Sequence, residues 1–190
     1  MNLSFLKGTR IIALDIETTA RAPSKAFVRE LGVAEYVDGE FVRGNGAIFS
    51  GGVCDPGALA VHGISDKMVA GKPTFASKAA DYCRYTYGAI ILGHNVIKYD
   101  LKIIGRFLES EGFSLRGPKG DEEVKVIDTL PLARKHLRAP SNRLEDLCQY
   151  FGIEHGKHRG FGDAVSAWNL FLKIVELTGC TDLSEYITVM

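Results

Sequence analysis

The chain has 190 residues, 46% hydrophobic and 24% charged, with no low-complexity tract, so one core burying on the order of 70% of the unfolded surface is attainable and a single domain over 1–190 is expected. Its 23 basic and 23 acidic side chains cancel, which excludes a binder relying on a generally basic surface, although bound cations could still draw phosphate to one local site. Cys54, Cys83, Cys148 and Cys180 are far apart, no apolar stretch nears the ~20 residues of a membrane span, and no leader-like apolar region precedes Asp15. Reduced thiols and a soluble, cytoplasmic protein with no membrane partner are therefore expected.

The first element carries the most information. Residues 10–16 read as a buried strand, yet Asp15 and Glu17 stand two positions apart in the run Arg10-Ile-Ile-Ala-Leu-Asp-Ile-Glu-Thr-Thr19. Residues i and i+2 share a face of a strand, so both carboxylates point one way while Leu14 and Ile16 point the other. Two like charges on a core strand repel and are costly to desolvate unless something positive binds between them. A divalent cation meets that need, because hard cations prefer carboxylate oxygens; two solvated acids at a strand end are the plainer alternative. A loop over 20–26 follows, then strands over 27–37 and 41–49 around the turn signal Asp38-Gly39, which together make a three-stranded meander.

Residues 75–87 carry helical spacing through Phe75, Ala79, Tyr82 and Cys83, with Gly88 as the stop. A short apolar strand over 89–92 leads through His94 and Asn95 to Asp100, which opens a helix over 100–111. Ligand sites form at such strand-to-helix crossings, though a first-turn acid also suits the helix dipole. A polar loop over 112–123, a strand over 124–127 and helices over 129–138 and 143–151 come next. The last helix, over about 163–177, has Ala164, Ala167, Trp168, Phe171, Ile174 and Val175 as its apolar stripe, which turns Asp163 toward the sheet. His158 lies upstream in a loop with Gly156, Gly160 and Gly162, free to swing over a site built on rigid elements; a merely exposed histidine is the plainer reading. His155, His158 and Cys148 lack a convincing fourth ligand for zinc. Antiparallel strands followed by strand–helix alternation predict an α/β fold with a mixed sheet flanked by helices.

These segments resemble, in order, the motifs of the DEDDh group of DnaQ-like 3′–5′ exonucleases. Asp15-Ile-Glu17-Thr-Thr19 resembles the first motif, and Glu30-Leu-Gly32 with the Asp38-Gly39 hairpin resembles the second and third strands. Val61-His-Gly-Ile-Ser65 is similar to a segment near the substrate end, and His94-Asn95 through Tyr99-Asp100 to the second motif. Asp128-Thr-Leu with Leu132-Ala-Arg134 resembles a segment outside the metal site, and His158-x4-Asp163 the third motif in its histidine form. The chain departs from the pattern at Ala20, where the family usually has Gly, and in the three residues between Asn95 and Tyr99, where the bacterial proofreading subunit has two. The polar loop over 112–123 is a further departure.

The resemblance implies a ribonuclease-H-like mixed five-stranded sheet and hydrolysis of phosphodiesters at a 3′ end, releasing nucleoside 5′-monophosphates. It implies two ions, Mg²⁺ or Mn²⁺, roughly 3.5–4 Å apart, with Asp15 between them, Glu17 and Asp163 on the ion serving the attacking water, and Asp100 on the other. His158 is the implied general base. Ile16, Thr18, His62, Ile64 and Asn95 are the implied contacts of the terminal nucleotide, with a core or capping role as the alternative for Ile16, Thr18, His62 and Ile64. Single-stranded DNA is the expected partner, with RNA as the alternative and a polymerase as a further candidate. Arg134, Lys135, Arg138, Arg143, Lys157 and Arg159 either meet the phosphate backbone or form a solvated face. A catalytically silent binding module is the rival class, against which the five retained site residues argue.

Overall fold

Alternation along Arg10–Thr18 (β1) decides the two faces of the sheet. In the computed structural model, which describes residues 3–116 and 123–190, Ile11 and Ala13 belong to one apolar cluster while Ile12, Leu14 and Ile16 belong to another across the strand. β1 pairs antiparallel with Val28–Val37 (β2), and β2 with Glu40–Ile48 (β3). The connecting Asp38 and Gly39 both have positive φ, 54° and 84°, the backbone that a two-residue hairpin with matching twist requires. On its other edge β1 runs parallel to Ile90–Gly93 (β4), and β4 to Lys125–Asp128 (β5). The five expected strands are all formed. A sixth, Thr188–Val189 (β6), joins antiparallel to β5, so the sheet has six strands in the order β3-β2-β1-β4-β5-β6. A strand of two residues carries no readable period, which is why the sequence predicts five.

Helices cover both faces: Pro56–His62 (α1), Asp66–Val69 (α2), Ala79–Thr86 (α3), Asp100–Ser110 (α4), Thr129–His136 (α5), Leu144–Phe151 (α6) and Gly160–Thr178 (α7). Trp168, Phe171 and Ile174 of α7 fill the cluster on the Ile11 face, and Ile103, Ile104 and Leu108 of α4 fill the one on the Ile12 face. The helix expected over 75–87 is a 3₁₀ turn, Ala76–Lys78, followed by α3. The one expected over 163–177 already starts at Gly160, so Asp163 sits in its first turn. Helices α1 and α2 occupy a stretch where the sequence predicts none; Ser65 caps α2 by accepting a hydrogen bond from Met68 N. Part of the loop read over 112–123 lies outside the described residues. Among the described residues, no helix is long and apolar enough to cross a membrane.

Two local features place the upper end of β1 against its neighbours. The β1–β4 ladder runs from Ile11↔Ile90 to Ala13↔Leu92, and beyond it the Ile16 N–H is open to a partner from α4. On the other side, Gly32 of β2 lies opposite Asp15, and a Cβ added there would fall 1.7 Å from the backbone carbon of Gly160. The start of α7 therefore rests directly on the sheet, backbone against backbone. Gly32→Ala must push that contact apart and is expected to cost about 3 kcal/mol or more in urea unfolding; a loss below about 0.5 kcal/mol would show that the first turn of α7 moves freely.

Candidate active site

Three elements bring four carboxylates to one place. Asp15 and Glu17 extend the Ile11–Ala13 face of β1 past the end of the core, toward α7 and its first-turn Asp163. Asp100 opens α4 at the end of the β4 crossing, and its Oδ1 accepts the Ile16 N–H at 3.0 Å. All four line an open cleft of about 220 Å³ together with Ile16, His94, Asn95, Tyr99, Arg143, Glu145, His155 and His158. The loop from His94 to Tyr99 is fixed from below by Asp128, whose carboxylate accepts from Asn95 N at 2.8 Å and Ile97 N at 3.2 Å while also capping α5. The His94 ring is held at both nitrogens, by Thr129 Oγ1 and the Asn142 carbonyl, each at 2.9 Å.

The cluster is electrostatically tense. Burial, then the charges of Asp100, Glu17, Asp163 and Glu30, hold Asp15 well above the usual carboxylate range. Burial and the neighbouring Asp163, Glu30 and Asp100 push Glu17 up to about 8, with Arg159 opposing. Burial raises Asp100 to about 7 against the relief of the Ile16 N–H. Asp163 is raised by burial and relieved by His155 and His158. These shifts follow from like charges sharing a site with reduced access to water.

The donor set fits a divalent cation. Glu17, His158 and Asp163 offer ligand atoms that all lie within 4.8 Å of one another. Asp163 Oδ1 is buried without a hydrogen bond, although His155 Nε2 stands 3.2 Å away. An acceptor left unpaired at this depth is costly unless a cation or donor completes it.

The predicted residues fall into two groups. Asp15, Ile16, Glu17, Asn95, Asp100, His158 and Asp163 meet at the cleft. His62 and Ile64 do not reach its surface: both are buried, the His62 ring contacts the Thr18 carbonyl at 3.2 Å, and its other nitrogen accepts from Ile64 N at 3.0 Å. Thr18 is also buried; its hydroxyl lies 2.8 Å from the Tyr99 hydroxyl, and both reach the Ala20 carbonyl. Among the basic residues named above, Arg143 borders the cleft, Arg159 pairs with Glu30, and Arg134, Lys135, Arg138 and Lys157 are exposed. His158 Nε2 is 3.8 Å from Glu145. Sequence reasoning missed His155 on Asp163, Tyr99 on the Thr18 segment, and Glu30 under the start of α7. Gly32 inside an apolar strand was the available signal for the last, since a strand glycine often marks a close backbone approach.

A mixed sheet of this order, with acids from β1, α4 and α7 converging beside a loop histidine, defines a ribonuclease-H-like, acid-cluster enzyme. The family described as Exonuclease matches residues 12–171. The chain is 33% identical over 182 residues to the DNA polymerase III subunit epsilon of Haemophilus influenzae, covering 92% of this chain and 69% of that protein. It is 30% identical over 184 residues to the same subunit of Escherichia coli, covering 90% and 72%. Escherichia coli exonuclease I in complex with a dT13 oligonucleotide has the same fold, with a TM-score of 0.77 at 18% identity over 90% of this chain; this chain spans 42% of that longer one. The chain belongs to the exonuclease family, as a DnaQ-like 3′–5′ exonuclease of the DEDDh kind.

The raised carboxylates set a pH dependence for the metal-free protein. Acids whose folded-state values exceed their unfolded ones hold more protons when folded, so stability falls as pH rises between the two values. The window here runs from the ordinary carboxylate range near 4 to about 7 for Asp100 and about 8 for Glu17. In excess chelator the melting temperature should fall from pH 5 to pH 8. Asp15→Asn should flatten the fall and melt no lower than wild type at pH 8; an unfolded variant would instead make Asp15 a structural residue.

Proposed function

We propose that this chain, as one domain over 1–190, removes nucleoside 5′-monophosphates one at a time from the 3′ end of single-stranded DNA. The observation that carries this reading is the convergence of Asp15, Glu17, Asp100 and Asp163 with His158 on one open cleft. DNA is favoured because the relatives are named as DNA polymerase III subunits and the structural neighbour was solved with dT13. The same names support a polymerase partner and a place in the cytoplasm. RNA is the competing substrate.

The four carboxylates would hold two ions, Mg²⁺ or Mn²⁺, which when bound neutralise charge on the phosphate and favour ionised water. The chain's own residues do the rest. His158 takes the proton of the attacking water as its oxygen bonds to phosphorus and the bond to the 3′ oxygen breaks. Histidine is the side chain most often used for such proton transfers. Asp100 holds the Ile16 backbone at the cleft wall, where it would flank the terminal nucleotide beside Asn95. Thr18, His62 and Ile64 would act from beneath by fixing the backbone between Thr18 and Ala20, together with Tyr99.

A 5′-labelled single strand should shorten stepwise from its 3′ end in Mg²⁺ and remain intact in excess chelator, with RNA of the same sequence compared in parallel. Full activity in chelator, or shortening from the 5′ end, would sink the reading. His158→Ala should lower turnover roughly 10²–10⁴-fold, with the loss shrinking toward pH 9 as hydroxide becomes available. His155 is no neutral control, because its ring lies on Asp163. His136, at the end of α5 and outside the cleft, serves instead, and His136→Ala should retain the wild-type rate.

A further inference from the structure

A further acid, this one buried, stands beside the cluster and has no part in the chemistry above. Glu30 of β2 is 2% exposed and lies directly across the ladder from Glu17. Its carboxylate accepts three hydrogen bonds: Arg159 Nη2 at 2.8 Å on Oε1, and Arg159 Nε at 3.0 Å and Gly160 N at 3.1 Å on Oε2. A two-pronged guanidinium–carboxylate pair fixes direction as well as distance. All three donors belong to the two residues that follow His158.

The two residues at and before His158 need fixing. Lys157 and His158 have φ of 55° and 58°, a left-handed backbone that side-chain-bearing residues hold only where the surroundings over-determine it. Glycines clear the room for the pair: a Cβ at Gly46 would lie 2.9 Å from Glu30 Oε1, and one at Gly32 would collide with Gly160. The body of α7 is anchored separately, through Ala164, Ala167, Trp168 and Phe171 in the core. The Arg159 side chain is itself 56% exposed, so its removal opens no cavity in that core.

We propose that Glu30 and Arg159 are positioning residues that latch the start of α7 to β2 and so hold the His158 imidazole over the cleft. Arg159 thus acts on hydrolysis through His158. The inference rests on the exonuclease reading, in which His158 accepts the proton.

A double-mutant cycle tests it. Arg159→Ala should lower kcat about 10- to 100-fold, as a small displacement of a catalytic group does, with KM for single-stranded DNA kept within about twofold. In a His158→Ala background the same change should cost no more than about twofold further, because the group it positions is gone. Arg159→Lys should recover part of the loss, since an ammonium can replace one prong of the fork and not both. In the metal-free protein, Arg159→Ala and Glu30→Gln should both speed hydrogen exchange at the Gly160 amide while Trp168 and Phe171 stay protected. Equal losses in both backgrounds, or lost protection at Trp168 and Phe171, would make the pair a plain structural bridge. A raised KM with kcat kept would make Arg159 a phosphate contact, and an unchanged Gly160 amide would remove the latch. Arg159→Ala at the wild-type rate beside a crippled His158→Ala overturns the latch alone, whereas a wild type that leaves 3′ ends intact overturns both readings.

Discussion

The mutual repulsion of four carboxylates at the top of β1 is the constraint around which the fold is arranged. Each acid except Asp15 receives partial relief, and the reliefs come from different parts of the chain. Asp100 is eased by the Ile16 N–H of β1, Asp163 by His155 and His158 of the preceding loop, and Glu17 by Arg159 at the α7 entry. Every leading influence on Asp15 raises it. Asp15 is also the central acid, acted on by Glu17, Asp100 and Asp163 alike, so it gains most from a bound cation. A fold cannot derive stability from such a cluster without its ion. The stability comes from the two apolar layers lower on the sheet, where Ile11, Leu92, Trp168 and Phe171 fill one side and Ile12, Ile91, Ile104 and Leu108 the other.

Holding the acids together also requires the backbones to approach closely, and this explains where the small residues fall. Gly32 meets Gly160, and Gly156 meets Gly162, at separations that leave no room for a Cβ. These contacts lie along the path from β2 to the first turn of α7, beside the cluster. Lower on the same helix the contacts are large, with Tyr36 stacked on Trp168 at 4.0 Å. Bulky packing secures the helix body, while glycine contacts and one ion pair set the few ångströms that matter at Asp163 and His158.

The strands and the acids were legible because each obeys a local rule. The period of two along β1 put Asp15 and Glu17 on one face, and the apolar stripe of α7 turned Asp163 inward. What escaped the sequence was what depends on contacts between distant segments. Glu30 reads as an ordinary strand residue until Arg159, 129 positions later, is placed on it. His155 entered the sequence reading only as part of an incomplete zinc set, because motif spacing counts residues along the chain, whereas its ring reaches Asp163 across the loop. From the sequence His62 and Ile64 read equally as nucleotide contacts or as core residues, and only the contact of the His62 ring with the Thr18 carbonyl gives their place in the fold. The short elements α2 and β6 were unreadable for a simpler reason: one turn or two residues cannot display a period.

With both motif departures present, the four acids still meet on one cleft. A glycine after the Thr pair would be needed only if that position required a left-handed backbone, and Ala20 is not among the residues with positive φ. Its carbonyl is instead held by the Thr18 and Tyr99 hydroxyls, so the loop gains fixed partners in place of conformational freedom. The longer spacing between Asn95 and Tyr99 is taken up by a wide turn. Asn95 sits at a φ of 63°, Tyr99 N bonds back to the Asn95 carbonyl, and Leu101 N bonds to that of Val96. That turn ends with Asp100 Oδ1 on the Ile16 N–H, the open donor left where the β1–β4 ladder stops. With the extra residue taken up inside that turn, Asp100 reaches the open donor on β1, and that contact gives the acid its place at the cleft.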